Sequence, residues 1–292
     1  MKKLRLLLMM MFVLTAIGVQ AQNVNTGKKP YEGSIHTYEV KKGMTASTLA
    51  WSVTGSRGVD YDFVEANGDV ISGTDAPTGT SVNILWKKAN ATAYTVRVVE
   101  TRTDFAGGCP TPREMEVTVV ANQFDIYAEL ADNSISDACA AVNDPVLDEG
   151  TLGDNSDDTF GTTQRVFKVK AYNLPTNASS NTLAWNYTFT LVNVKTGTTT
   201  DEGLVVNISV DGNSHASGDK INVAEGTAES TVTVSYTTNS NRQDADLDLV
   251  LEITAGADAL GTLDNDGKTG SSNKATYLVR AVPATTGITT DN

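Results

Sequence analysis

The chain has 292 residues, with 22 Lys and Arg against 35 Asp and Glu, a formal net charge of −13 at pH 7. So acidic a balance argues against nucleic acid and anionic lipid as partners, because both need a basic footprint. Two histidines and two cysteines leave little material for imidazole or thiol chemistry.

The first segment in chain order reads as an export signal. Lys2, Lys3 and Arg5 precede the apolar run Leu6 to Ile17, and Val19-Gln20-Ala21 supplies small residues at a cleavage site. Residues 1–21 are therefore expected to be a signal peptide, with Gln22 the first mature residue. The apolar run is short for a bilayer span, and no later stretch is apolar enough to cross as a helix. No cysteine follows the cleavage site, so lipoprotein-type acylation is not expected. Removing the signal leaves 19 Lys and Arg against 35 Asp and Glu, a balance of −16. The charge is dispersed, which fits solubility outside the cytoplasm.

Strand signals follow, separated by turn clusters. The first half predicts strands over His36–Val40, Leu49–Gly55, Tyr61–Glu65, Asp69–Ser72, Ser81–Lys87, Ala93–Thr101 and Arg113–Ala121. Leu49, Trp51 and Val53 share one face, as do Val82, Ile84 and Trp86, and a half-buried antiparallel strand requires this period-two alternation. Seven short strands in about a hundred residues point to an immunoglobulin-type sandwich. The second half predicts longer strands, over Phe124–Leu130, Arg165–Asn173, Ala184–Val194, Gly203–Val210, Lys220–Ala224, Ser230–Thr237, Leu247–Ala255 and Ala275–Val282. Trp185, Tyr187, Phe189 and Leu191 form its strongest apolar stripe, and no segment has a sustained helical period. An outer-membrane barrel would need unbroken lipid-facing apolar sets. Asp244, Asp246, Asp248 and Glu252 on one strand face break that pattern. The expectation is an all-β chain: signal peptide, an immunoglobulin-like sandwich over 22–122, a second, larger sandwich over 123–284, and a flexible tail over 285–292.

The strings "GSIHTYEV", "LAWSVTG", "DVISG", "VNILWKK" and "YTVRVVETRTDFAGGCPTPREMEVTVV", in that order, resemble the PKD-like immunoglobulin-type modules of Bacteroidota cell-surface and secreted proteins. The resemblance spans Tyr31 to Val120. It implies a β-sandwich used for spacing or binding in the envelope, with no catalytic residues to carry over. Such proteins often leave by the type IX route with a basic C-terminal end, and "YLVRAVPATTGITTDN" lacks that finish. The expected location is therefore periplasmic, outer-membrane-associated or extracellular.

Each candidate chemistry has a plain structural alternative. A hydrolytic Ser or Cys needs a base, usually His. His36 lies in a strand, His215 in the turn "DGNSHASGD", and there is no G-x-S-x-G elbow. Alternating carboxylates in "DADLDLVLEI" face solvent together, unlike the separated pair of a glycosidase. No enzymatic activity is expected. Calcium needs six to eight oxygens on a flexible loop. "DPVLDEGTLGDNSDDTFG" gathers Asp144, Asp148, Glu149, Asp154, Asp157 and Asp158 as a candidate loop for Ca²⁺, and "LDNDGKTG" adds Asp264 and Asp266. The remaining function classes are two. One is contact with, or spacing of, an envelope or cell-surface protein, accessory to secretion, gliding or adhesion. The other is a calcium-dependent, lectin-like site for glycan, in which Tyr61, Phe63 and Phe105 near turns would be the exposed aromatics.

Cys109 sits between two strand runs in "ETRTDFAGGCPTPREMEVTVV", the pattern of a hairpin apex. No base, metal partner or CxxC neighbour accompanies it. Two cysteines in an exported chain read most simply as one disulfide, with two free thiols the alternative. A Cys109–Cys139 bridge would clamp the first sandwich to the second and contribute about 3–4 kcal/mol.

Overall fold

In the computed structural model, the described residues are 25–281, apart from 74–75, 105–107, 134–135, 140–161, 202–204, 238–245 and 267–270. Among them the chain is built of strands, with no helix long and apolar enough to cross a membrane.

Among the described residues the first sandwich has six strands: β1 (Ile35–Glu39), β2 (Ser47–Val53), β3 (Tyr61–Val64), β4 (Ser81–Trp86), β5 (Tyr94–Arg102) and β6 (Pro110–Val117). They form two antiparallel three-stranded sheets, ordered β1-β4-β3 and β2-β5-β6. In β2 burial alternates at every residue, so Leu49, Trp51 and Val53 enter the core as their period requires. Trp86 is fully buried at the centre, edge-on to Tyr38 and beside Tyr61 and Tyr94. The run Asp69–Ser72 forms no strand; only Val70 makes a bridge, to Val64. β6 begins earlier than the apolar pattern suggested, at Pro110. It is an edge strand, so prolines whose nitrogens face away from β5 break no ladder bond.

Among the described residues the second sandwich has ten strands. They are β7 (Asp125–Leu130), β8 (Asp137–Cys139), β9 (Thr162–Tyr172), β10 (Trp185–Lys195), β11 (Val205–Val210), β12 (Asn213–His215), β13 (Lys220–Val223), β14 (Glu229–Thr237), β15 (Leu247–Asp258) and β16 (Lys274–Arg280). The sheets run β13-β10-β15-β16-β8 and β12-β11-β14-β9-β7. The expected stripe Trp185, Tyr187, Phe189 and Leu191 lies in the core between them. Short β8 and β12 were not anticipated, since three residues carry too little periodicity to read. Ile126 of β7 lies close over Gly256 of β15: a Cβ on Gly256 would come within 2.1 Å of Ile126 Cδ1. Both halves thus place two sheets around a hydrophobic core, as a β-sandwich does.

Two separate hydrophobic clusters form the cores, but their membership crosses the expected boundary. Tyr31, from the segment preceding β1, packs with the second cluster.

The expected disulfide is absent: Cys109 and Cys139 are both free and exposed. Topology gives the reason. β5 and β6 run away from the junction between sandwiches, and Cys109 follows their outer end, where Thr101 pairs with Pro110. β15 starts at the far end of the second sandwich, where Leu247 pairs with Val279, and Cys139 pairs with the next residue, Arg280. Each thiol therefore lies about one strand length, roughly 25–35 Å, beyond the junction, whereas a disulfide needs Cα atoms roughly 4–7 Å apart.

Candidate functional site

Three features stand out: a polar network at the junction, a groove at the edge of the first sandwich, and a carboxylate cluster on the second.

The junction is organised by Asn25, which has positive φ and is 3% exposed. Its Nδ2 donates to Asp258 Oδ2 at 3.0 Å and to Thr262 Oγ1 at 2.9 Å. Its Oδ1 accepts the Tyr31 N–H at 2.8 Å and lies 2.9 Å from His36 Nε2. With the amide oxygen already an acceptor, the proton of neutral His36 belongs on Nε2. Asp258 Oδ1 accepts the N–H groups of Leu260 and Thr262, both at 2.9 Å. The Ile35 backbone N–H donates to Leu260 O, and the Asn122 side-chain Nδ2 donates to Leu263 O. Burial pushes the His36 imidazole down to about 4, and it raises the Asp258 carboxyl against the hydrogen bonds that Thr262, Leu260 and Asn25 donate. A buried polar network satisfied in this way fixes one geometry, because every alternative strands a buried polar group. His36, weighed as a catalytic base, is bound to an amide here, not to a nucleophile.

The groove, of ≈ 1070 Å³, opens between β1 and β6 on the side where neither has a strand neighbour among the described residues. Tyr38, Trp51, Val96, Val98 and Met115 form its apolar floor, and Lys28, Lys29, Glu39, Arg113 and Glu114 stand at its rim.

The carboxylates of Asp125, Asp264 and Asp266 each place an oxygen within 4.8 Å of the others. Asp264 accepts from the Ile126 N–H at 3.1 Å and from Asn273 Nδ2 at 2.9 Å. Asp266 accepts from Asn273 Nδ2 at 3.0 Å and from Ser272 Oγ at 3.1 Å. Burial, with the Asp266 and Asp125 charges adding, pushes the Asp264 carboxyl up to about 7. Beside them Tyr127 and Tyr172 are exposed and in edge contact, their ring centroids 4.8 Å apart. The Tyr127 phenol, hydrogen-bonded to Asp125, is raised chiefly by that bond.

The sequence flagged Asp264 and Asp266 but not Asp125, which β7 brings in from far along the chain. The alternation of Asp125, Tyr127 and Glu129 on one face of that strand was the available signal. The calcium loop expected from Asp144, Asp148, Glu149, Asp154, Asp157 and Asp158 lies outside the described residues, as does Phe105. Tyr61 and Phe63 are not surface aromatics. Both are buried in the first core, because they share the face of β3 that points into it. His215 lies 3.2 Å from Asp219 within its own turn.

No protein-family model matches the chain, and no curated protein matches it in sequence. Solved structures similar to it include the fibronectin(III)-like modules of Clostridium thermocellum CbhA, 11% identical over 87% of this chain and 90% of that one, with a TM-score of 0.28. The Yersinia pseudotuberculosis adhesin InvE is 11% identical over 87% of this chain and 57% of that one, TM-score 0.28. Chicken VE-cadherin EC1-2 is 11% identical over 87% and 96%, TM-score 0.23.

Proposed function

We propose that the chain is a non-enzymatic, exported module of the bacterial envelope or cell surface that spaces and presents protein–protein contacts. The observation that carries this reading is the Asn25 network, which joins two sandwiches through buried, fully partnered polar groups. Modules that only tether their neighbours need no such weld, and domains in one chain move relative to one another unless their interface holds them. The signal-like residues 1–21, the acidic balance and the PKD-like pattern of Tyr31 to Val120 support the same reading. Binding of the labelled mature protein to intact envelopes tests it. Binding that survives periodate oxidation of glycans and is lost on protease treatment is the expected result; the reverse pattern overturns it.

A second reading, glycan recognition, is favoured by the exposed Tyr127–Tyr172 pair. Aromatic faces of this kind take the apolar side of a sugar ring. The adjacent Asp125, Asp264 and Asp266 offer oxygens to Ca²⁺ in that case.

A further inference from the structure

We infer that the groove of the first sandwich receives an extended polypeptide segment of a partner protein, added as a strand along the free edge of β6. The inference deepens the protein–protein reading and rests on it.

The edge is already used in this way by the chain itself. Thr118 N–H bonds to Lys28 O, Val120 N–H to Pro30 O, and Glu32 N–H to Val120 O, so Lys28–Glu32 lies strand-like beside the end of β6. At Thr26–Lys29 the segment turns back on itself and leaves that lane for Asn25 and the junction. The lane continues alongside Glu114–Glu116 with no described strand in it. Period-two alternation carries the outward direction of the Thr118 N–H down the strand to Glu116, Glu114, Pro112 and Pro110. The two prolines have no N–H to offer, and a proline on an edge discourages pairing. Glu114 and Glu116 keep their donors. Facing them, Ile35 of β1 gives its outward N–H to Leu260 O, which leaves the outward N–H groups of Thr37 and Glu39 along the same groove.

What fits between two open backbone edges is another backbone. An added strand places alternate side chains onto Met115, Val96, Val98 and Tyr38 and turns the others to solvent. The rim carries three cations, Lys28, Lys29 and Arg113, against Glu39 and Glu114. The segment that complements it is therefore short and extended, apolar at every second residue, and acidic at the end over Lys28 and Lys29.

The probe is a fluorescein-labelled peptide, Asp-Asp-Val-Thr-Val-Thr-Val, titrated into the full mature chain and followed by anisotropy. A second peptide of the same sequence is N-methylated throughout. Saturable binding is expected, with at least a tenfold loss for the methylated peptide and slowed amide exchange at Glu114 and Glu116. Glu114→Pro removes one outward donor without touching the ladder to β5, as Pro112 already does, and is expected to weaken binding about tenfold in a protein of unchanged melting temperature. Met115→Lys is expected to do the same through the floor. Equal binding of the methylated peptide, no saturable binding, or protection elsewhere in the chain overturns the inference. If the peptide fails while periodate-resistant, protease-sensitive envelope binding persists, the β6 assignment falls and the protein–protein reading stands.

Discussion

Asn25 Nδ2 lies 3.0 Å from Asp258 Oδ2, a buried bond between a residue preceding the first strand and the last residue of β15. The same amide holds Tyr31, whose ring packs into the second core, and His36, which belongs to β1 of the first sandwich. One side chain therefore ties together the leading segment and both sandwiches.

Replacing it exposes the cost of that arrangement. Asn25→Leu strips a donor from Asp258 and an acceptor from Tyr31 and His36, all buried. An unsatisfied buried polar group costs about 1–3 kcal/mol, so a loss of roughly 2–3 kcal/mol is expected in denaturant unfolding. A change below a few tenths would show that the network adds nothing.

The pH dependence of stability has two opposed parts. His36 has its folded value lowered to about 4, so the folded state binds fewer protons than the unfolded one above that value. Its contribution is full above the ordinary histidine range and is lost as pH falls through about 4. Asp264 is raised to about 7, so its contribution is full below the ordinary carboxylate range and is lost as pH rises through 7. Asp258 acts in the same sense as Asp264. Thermal melts of His36→Gln should lose less stability on acidification than the parent, and melts of Asp264→Asn should lose less as pH rises from about 4 to about 7. Parallel profiles for parent and variants would contradict the assignment.

Much of the fold was legible because alternation reports a half-buried strand wherever the run is long. Leu49-Trp51-Val53 and Trp185-Tyr187-Phe189-Leu191 are such runs, and both line cores. The junction was not legible. Asn25 has no periodic neighbours, and its role depends on Asp258 and Thr262, which only the folded chain brings near it. The surface pair Tyr127–Tyr172 was missed for a related reason: alternation separates two faces but does not say which one meets solvent when both carry aromatics. Cys109 and Cys139 were paired by counting, and counting contains no information on the strand lengths that separate them.

The contact between Ile126 and Gly256 permits a double-mutant cycle. Gly256→Ala puts a methyl within 2.1 Å of Ile126 Cδ1 and 3.2 Å of Asn186 O, and should cost about 1–3 kcal/mol as overpacking does. Ile126→Val deletes that Cδ1 and alone should cost about 1 kcal/mol. The pair should cost less than the sum, since the smaller side chain leaves room for the new methyl. Strict additivity would mean the backbone yields instead.

Calcium separates the two functional readings. Both Asp264 oxygens and both Asp266 oxygens already accept hydrogen bonds from Ile126, Asn273 and Ser272. The protein–protein reading therefore expects no change in melting temperature with millimolar Ca²⁺. A rise that Asp266→Asn abolishes would transfer the cluster to the glycan reading.

The two natural cysteines supply the most direct test of the welded, two-sandwich account. Both are free and exposed, and each sits at the end of its own sandwich remote from the junction, so spin labels attach to the unreduced native protein without substitution. Pulsed dipolar spectroscopy should give one narrow distance distribution, broadened in Asn25→Leu. A broad distribution in the parent protein, or failure of the unreduced thiols to take label, would contradict it.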